Sequence, residues 1–310
     1  MTTKLLIDTD PGVDDALAIL MAFQHGQVAA LSVAAGNTGL AHTLRNACRL
    51  VDLAASDTPV FPGCAAPLVR APDEDAVHVH GADGFGDAGL AEPRHRVADE
   101  PAALALSRLT REQPGQLTLV ALAPLTNLAL AVRLDPGLPD RVRRLVVMGG
   151  AVNGHGNLRR APVEFNVGFD PEAAHVVFEA FENFDLVDWE LTVRHAFDEA
   201  VFDDWLERGD SRAELFAWIS GTSRQYNAAR ERRGVIAADA LAMAVALEPD
   251  IITHSETRAV AVELDGALTR GMTVVDWESR GGARPNARIA LELDHERFSR
   301  LVAEALGATM

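Results

Sequence analysis

Four aspartates fall within eight residues near the start of the chain: Asp8, Asp10, Asp14 and Asp15, in Leu5-Leu6-Ile7-Asp8-Thr9-Asp10-Pro11-Gly12-Val13-Asp14-Asp15-Ala16-Leu17. An apolar strand runs into them and an apolar helix follows at once. Carboxylates this close repel one another. Packed at the end of a buried strand, they require a compensating cation or shared protons. Hard oxygen ligands on a tight turn suit Ca²⁺ or Mg²⁺. Pro11 and Gly12 make the turn, and Asp14 and Asp15 then open the helix, where its dipole favours anions. Capping alone accounts for one of Asp14 and Asp15; it explains neither Asp8 nor Asp10.

Other ligand-capable residues recur where apolar runs end: Gly36-Asn37-Thr38, Pro124-Leu125-Thr126-Asn127, Met148-Gly149-Gly150, Gly156-Asn157, Glu164-Phe165-Asn166, and Asp239 ahead of Ala240–Leu247. Gathered at one sheet edge, they would make a pocket of carboxylates and amides around a cation, suited to a polyhydroxylated ligand such as a sugar. Each has a simpler reading when taken singly. Asn37 after Gly36 is a turn pair, and Asn127 and Asp239 are helix caps. Glu164 and Asn166 straddle Phe165, so in an extended chain both point the same way. That spacing suits paired hydrogen bonds to a ligand, or a surface turn. Gly84-Phe85-Gly86-Asp87-Ala88-Gly89 matches GxGxxG, but it follows no strand and opens no clear helix, so it does not read as a dinucleotide site. His78 and His80 lack the Cys/His partners of a zinc site; His80, ahead of Gly81, is expected to face a substrate instead. His155 reads as a solvated loop residue.

The elements that must position these groups alternate. Lys4–Thr9, Ala29–Ala35, Leu117–Ala121, Arg144–Met148 and Phe184–Val187 read as strands. Asp14–His25, Leu44–Ala54, Ala102–Thr110, Leu128–Val132 and Pro171–Phe181 read as helices. The strands are near-continuous apolar runs, as parallel strands covered on both faces are. Repeated βα units imply an α/β fold with a doubly wound, mainly parallel, Rossmann-like central sheet, and ligands then bind beyond the carboxyl ends of the strands. A helical stretch follows (Asp203–Arg208, Ala213–Arg233, Ala240–Leu247). After it come strand-like Thr257–Leu264, Thr273–Asp276 and Ala287–Leu293 and a last helix from His295. The polar segment from Ala71 to Asp99 is long enough to be a lid or binding loop. With no linker or repeat, one domain over residues 1–310 is expected.

The chain has 310 residues, 48% of them hydrophobic, enough for a large core. Its net charge of −17, with no basic run, argues against nucleic-acid binding. Two cysteines in no CxxC arrangement argue against a zinc ribbon or a disulfide framework. No apolar run reaches membrane-spanning length and no signal peptide is apparent, so no membrane partner and a cytoplasmic location are expected.

The block Asp8-Thr9-Asp10-Pro11-Gly12-Val13-Asp14-Asp15-Ala16 resembles the signature of the inosine–uridine-preferring nucleoside hydrolase family. The likeness continues through Gly36-Asn37, Val79-His80-Gly81 with Asp83-Gly84, Pro124-Leu125-Thr126-Asn127, Met148-Gly149-Gly150, Glu164-Phe165-Asn166 and Asp239, in order and approximate spacing. The resemblance implies the nucleoside hydrolase fold and a Ca²⁺-dependent N-ribohydrolase that splits nucleosides into ribose and free base, working as a homodimer or homotetramer. It implies that Asp10, Asp15, Asp239 and the main-chain carbonyl of Thr126 hold the ion, and that Asp10 is the general base toward water. Asp14 and Asn166 would hold ribose hydroxyls. Asn37, Asn157 and Glu164 would hold the rest of the sugar with Met148 packed against it, and His80 would face the substrate. An anion-rich pocket suits the oxocarbenium-like transition state of such a cleavage.

One position departs from the pattern. Family members that cleave both purine and pyrimidine nucleosides typically carry histidine immediately before the last metal-binding aspartate; here it is Ala238. The group associated with activating the departing base is therefore missing, and His80, Tyr226, Arg230 and Trp189 are the candidates to replace it. Two other readings stay open on the residues alone. Asp8-Thr9-Asp10 has the DxD shape of a haloacid-dehalogenase-type phosphatase, with Asp8 as nucleophile and Mg²⁺ as cofactor. A nucleoside- or ribose-binding protein without turnover would also keep the sugar half of the pocket.

Overall fold

The computed structural model describes residues 2–230 and 234–309. In chain order the elements are β1 (Lys4–Thr9), α1 (Val13–His25), β2 (Gln27–Val33), α2 (Leu40–Leu53), β3 (Val60–Pro62), α3 (Val77–His80), α4 (Ala102–Glu112), β4 (Leu117–Ala121), α5 (Thr126–Leu134), β5 (Arg144–Met148), α6 (Phe165–Phe169) and α7 (Pro171–Ala180). They continue with β6 (Phe184–Val187), α8 (Trp189–Arg194), α9 (Glu199–Arg208), α10 (Ser211–Ala229), α11 (Ala238–Leu247), β7 (Ile252–Arg258), β8 (Val260–Val262), β9 (Thr273–Val275), β10 (Ala287–Leu293) and α12 (His295–Ala305).

The central sheet has eight strands in the order β3-β2-β1-β4-β5-β6-β10-β7. All pairings are parallel except that of β7 with β10, which is antiparallel. From β1 the chain winds outward to β2 and β3 on one side, then returns to place β4, β5 and β6 on the other. The order therefore reverses between β1 and β4. At such a switch point the loops leaving the two strands diverge to opposite faces and open a crevice beyond their carboxyl ends. Asp8-Thr9-Asp10 leaves β1 at that point, and Leu122-Ala123-Pro124 leaves β4 beside it.

Alternation along β1 divides its side chains between the two layers. Leu5 and Ile7 pack with α1, α11 and α12 in one apolar cluster, while Leu6 packs with α4, α5 and α7 in the other. Period two puts Asp8 on the Leu6 side. There its register partner Ser32 on β2 and Asn127 on α5 both donate to its Oδ1, at 2.6 and 2.9 Å.

Helix starts differ in a way that bears on the site. Asp170, Asp188, Asp198, Asp210 and Asp294 cap α7, α8, α9, α10 and α12, each carboxylate accepting a first-turn N–H. Part of the acidic excess is thus consumed in caps. By contrast, α1 begins at Gly12 and α11 at Ala237 without a side-chain cap, and these two helices pack on one another. Their N-terminal ends are left for the residues of the crevice.

Several elements differ from the sequence expectation. The run Thr257–Leu264 is not one strand: β7 ends at Arg258, and β8 pairs with β9 in a separate two-stranded sheet. Short β3, α6 and α8 were not foreseen, because three to six residues are too few to show a period. The helix expected to reach Arg233 ends at Ala229, and residues 231–233 lie outside the described residues. No helix among the described residues is long and apolar enough to cross a membrane.

Candidate active site

Asp14, Asp15 and Asp239 each place a carboxylate oxygen within 4.8 Å of the others. Asp14 and Asp15 come from the first turn of α1 and Asp239 from the first turn of α11, so two helix dipoles point their positive ends at the cluster. Asp15 is the most tightly held. It accepts from Thr9 Oγ1, from the Asp10 and Gly12 backbone N–H groups at 3.1 and 3.0 Å, and from Asn37 Nδ2 at 2.9 Å. Asp10 is fully buried and accepts the Asn37 N–H on Oδ2 at 2.6 Å. Its Oδ1, like Asp14 Oδ1, is buried without a hydrogen-bond partner among the described residues.

Burial and mutual repulsion push all these groups up. Asp10 and Asp239 are held well above the usual carboxylate range, first by desolvation and then by the other aspartates. Asp15 is raised by burial and by Asp14, and Asp14 is pushed up to about 6 by burial. Orphaned acceptors amid clustered carboxylates are what a hard divalent cation satisfies, so the donor set fits such an ion. The mutual trio contains Asp14 where the resemblance implies Asp10; Asp10 adjoins it through its charge on Asp239.

The cluster opens into a cavity of about 720 Å³. Asp14, Asn37, His80, Met148, Asn157, Glu164 and Asn166, the full set implied to touch substrate, line it together with Asp239. Asp10, Asp15 and Thr126 are buried outside its lining. Thr126 opens α5 and its hydroxyl donates to Asp170 Oδ2 at 2.7 Å. Asp8 also lies outside the lining, engaged by Ser32 and Asn127 and pushed up to about 6 by burial.

The remaining site residues are fixed by specific bonds. Asn37 is more bracket than free arm, for its Nδ2 also donates to Asp10 O at 3.2 Å. Asn166 Nδ2 donates to Leu122 O at 2.8 Å and Met148 O at 3.2 Å, leaving its Oδ1 as the ligand-facing atom. Asn157 Oδ1 is buried without a partner among the described residues. Glu164 itself is extended, but Phe165 and Asn166 turn into α6, so the two do not flank one side of a strand as the spacing suggests; Glu164 caps α6. Its carboxylate accepts from Asn166 N, Val167 N and Gly150 N, and burial against those bonds lifts it to about 7. His80 Nδ1 accepts the Val13 N–H at 3.1 Å, so the ring is neutral with its proton on Nε2, and burial holds it down at about 4.

Two of the turn glycines named from the sequence do more than turn the chain. A Cβ at Gly36 would lie 2.0 Å from Asp10 Oδ2, and one at Gly12 would lie 2.6 Å from His80 Nδ1, so both glycines are close-approach positions. The pair Gly36-Asn37 signalled a turn, and nothing local says that a carboxylate sits against it. The segment 71–99 does reach the cavity, through His78 and His80. Its GxGxxG run is a fastening: Phe85 is fully buried and Gly86 N donates to His80 O at 2.7 Å. Asp73 and Glu74 of the same segment pair with Arg160 and Arg159, tying it to the loop that carries Asn157.

Residues 5–300 match the family model described as inosine-uridine preferring nucleoside hydrolase. The chain belongs to that family. It is 36% identical to an inosine-uridine preferring nucleoside hydrolase of Leishmania major over 99% of this chain and 98% of the relative. It is likewise 36% identical to the non-specific ribonucleoside hydrolase RihC of Salmonella newport, over 98% of each chain. The solved structure of an inosine-guanosine nucleoside hydrolase superposes with a TM-score of 0.90 at 32% identity, covering 100% of both chains. As a nucleoside hydrolase, the protein is an N-glycosyl hydrolase that cleaves the bond between ribose and base in ribonucleosides.

Proposed function

We propose that the enzyme binds the ribose of its substrate over the aspartate cluster and that Asp10 removes the proton from the attacking water. The observation that carries this reading is the convergence of Asp14, Asp15 and Asp239 at the cavity with Asp10 beside them, and with buried Oδ1 atoms on Asp10 and Asp14 that no described residue satisfies. Asp10, Asp15, Asp239 and the Thr126 carbonyl would hold a Ca²⁺ ion. When bound, such an ion polarises water and sugar hydroxyls as a Lewis acid.

The protein's own residues do the rest. Asp14 and the Asn166 carbonyl accept from ribose hydroxyls. The Asn157 and Asn37 carbonyls and the Glu164 carboxyl group fix the remainder of the sugar, and Met148 packs against it. As the bond from C1′ to the base breaks, positive charge develops on the ribosyl ring, and the surrounding carboxylates stabilise it. Asp10 is fully buried beside the cluster, and its Oδ1, which no described residue engages, is the atom that takes the proton. Desolvation beneath the cavity strengthens each of these interactions.

A panel of inosine, uridine, cytidine, adenosine and p-nitrophenyl riboside, read by reducing-sugar release with and without a chelator, tests the reading. Chelator-sensitive release of ribose from at least one nucleoside is the expected result. Tight ribose binding with no release from any member would favour the non-catalytic binder, and cleavage of p-nitrophenyl phosphate would favour the phosphatase.

A further inference from the structure

We propose that Asp170 is a positioning residue for the ion site: through the Thr126 hydroxyl it fixes the start of α5 and so aims the Thr126 carbonyl. The proposal rests on the reading above, in which that carbonyl holds the ion. Asp170 is fully buried, and its two carboxylate oxygens are used differently. Oδ1 accepts the Ala173 N–H at 3.1 Å and caps α7. Oδ2 accepts the Thr126 hydroxyl at 2.7 Å and the Leu68 N–H at 2.9 Å. A serine would cap α7 as well. Only a carboxylate adds a second acceptor for two further donors, and one of those donors comes from a residue of the site, 44 positions earlier in the chain.

The backbone on either side of Thr126 is already held against the end of β1. On one side the Thr126 N–H donates to Pro124 O at 2.8 Å. Pro124 and Asp10 flank the same glycine, since a Cβ at Gly36 would lie 2.0 Å from Asp10 Oδ2 and 2.9 Å from Pro124 Cδ. On the other side Asn127 Nδ2 donates to Asp8 Oδ1 at 2.9 Å, and Asn127 Oδ1 accepts the Cys64 N–H at 2.7 Å. Thr126 thus sits between a residue packed beside Asp10 and a residue bonded to Asp8. What remains to be fixed is its own side chain, and Asp170 Oδ2 is the group that engages it.

A main-chain carbonyl has no side-chain torsion of its own with which to seek a ligand. Its direction follows from the backbone, and a short bond from the hydroxyl of the same residue to a buried carboxylate is a direct way to hold that backbone. Calcium accepts oxygen ligands over a narrow range of about 2.3–2.6 Å, so a small turn of this peptide costs affinity. Groups that stand behind metal ligands are typically worth 10–100-fold in binding. Asp170 also roots Leu68, close to the start of the long segment 71–99, and opens α7 directly after α6, which carries Asn166. One carboxylate therefore joins α5, α7 and the chain leading to the long segment.

The test is calcium affinity, measured by isothermal titration of chelator-stripped protein with Ca²⁺. Thr126→Val removes the hydroxyl and keeps the carbonyl. Thr126→Ser keeps both. Asp170→Ser keeps a capping oxygen for α7 and removes the acceptor for Thr126. Asp198→Ala, which removes the acceptor for Ala200 and Val201 at the start of α9, controls for a loosened fold. Thr126→Val and Asp170→Ser are each expected to weaken Ca²⁺ binding by about 10–100-fold. Their double variant is expected to bind no more weakly than the poorer single one, because both remove one contact. Thr126→Ser is expected to bind as the wild type does, and Asp198→Ala to lower the thermal midpoint without changing the affinity. Wild-type affinity in Thr126→Val or Asp170→Ser overturns the proposal. So does a loss in Thr126→Ser or Asp198→Ala that equals theirs, or a double variant in which the two losses multiply. A wild type that binds no Ca²⁺ overturns the ion site beneath it.

Discussion

Stripping divalent cations from the protein leaves Asp10, Asp15 and Asp239 buried beside the half-buried Asp14 with protons as their main compensation. For an ion that binds only the folded state, a concentration about 100 times its Kd adds about 2.7 kcal/mol of stability. An unfolding entropy of about 2.1 cal/mol/K per residue over 310 residues is roughly 0.65 kcal/mol/K, so the thermal midpoint rises by about 4 °C. The sign with pH follows from the raised carboxylates. In the stripped protein Asp10 and Asp239 titrate above their unfolded values, so it binds more protons folded than unfolded and loses stability as pH rises through that window. The ion favours the charged forms and opposes this loss. The calcium-induced shift is therefore larger near about pH 8 than near about pH 5. Scanning fluorimetry on chelator-stripped protein, titrated with Ca²⁺ and separately with Mg²⁺, reads it directly. A saturating Ca²⁺ shift under about 1 °C, or a shift equal at both pH values, would refute the reasoning.

Three other outcomes are expected. Gly36→Ala puts a Cβ 2.0 Å from Asp10 Oδ2, so turnover on p-nitrophenyl riboside falls by at least ~10-fold and stability by about 1–3 kcal/mol; an unaltered rate contradicts the close approach. Asp8→Asn disturbs the Ser32 and Asn127 brace and costs stability, but it lowers turnover less than Asp10→Asn does; the reverse order in paired kinetics would return the phosphatase to consideration. Glu164, lifted from 4.5 to about 7, weakens the fold above its unfolded value and is relieved as pH falls through that window. In urea unfolding, Glu164→Gln should flatten the pH dependence between those values; a curve matching wild type would show that Glu164 does not titrate there.

What the chain disclosed in advance follows from how local each signal is. Apolar runs bounded by turns located β1, β4, β5, β6 and β10, and the alternation of strands and helices implied the parallel sheet. The carboxylate cluster was legible because four aspartates in eight residues, set between an apolar strand and an apolar helix, exceed what helix capping can use. Asp8 looked equivalent to Asp10. Only the pleat of β1 and its register with Ser32 separate them, putting Asp8 against α5 and Asp10 beyond the strand end. Glu164 looked like half of an extended pair, yet it caps a five-residue helix too short to show a period. The wall between the long segment and α10 was hardest to read: His78 and Tyr226 meet across 148 residues of sequence, and no local pattern joins them.

The proton acceptor is the centre of the account, and one rate tests it most directly. p-Nitrophenyl riboside needs no acid for its leaving group, so its hydrolysis at saturating Ca²⁺ isolates the activation of water. Asp10→Asn keeps the side chain's size and one oxygen while removing its capacity to take a proton. The account predicts that kcat on this substrate falls by at least ~10²-fold while the variant still shows a Ca²⁺-induced thermal shift. A variant that binds the ion and turns over at the wild-type rate would contradict it.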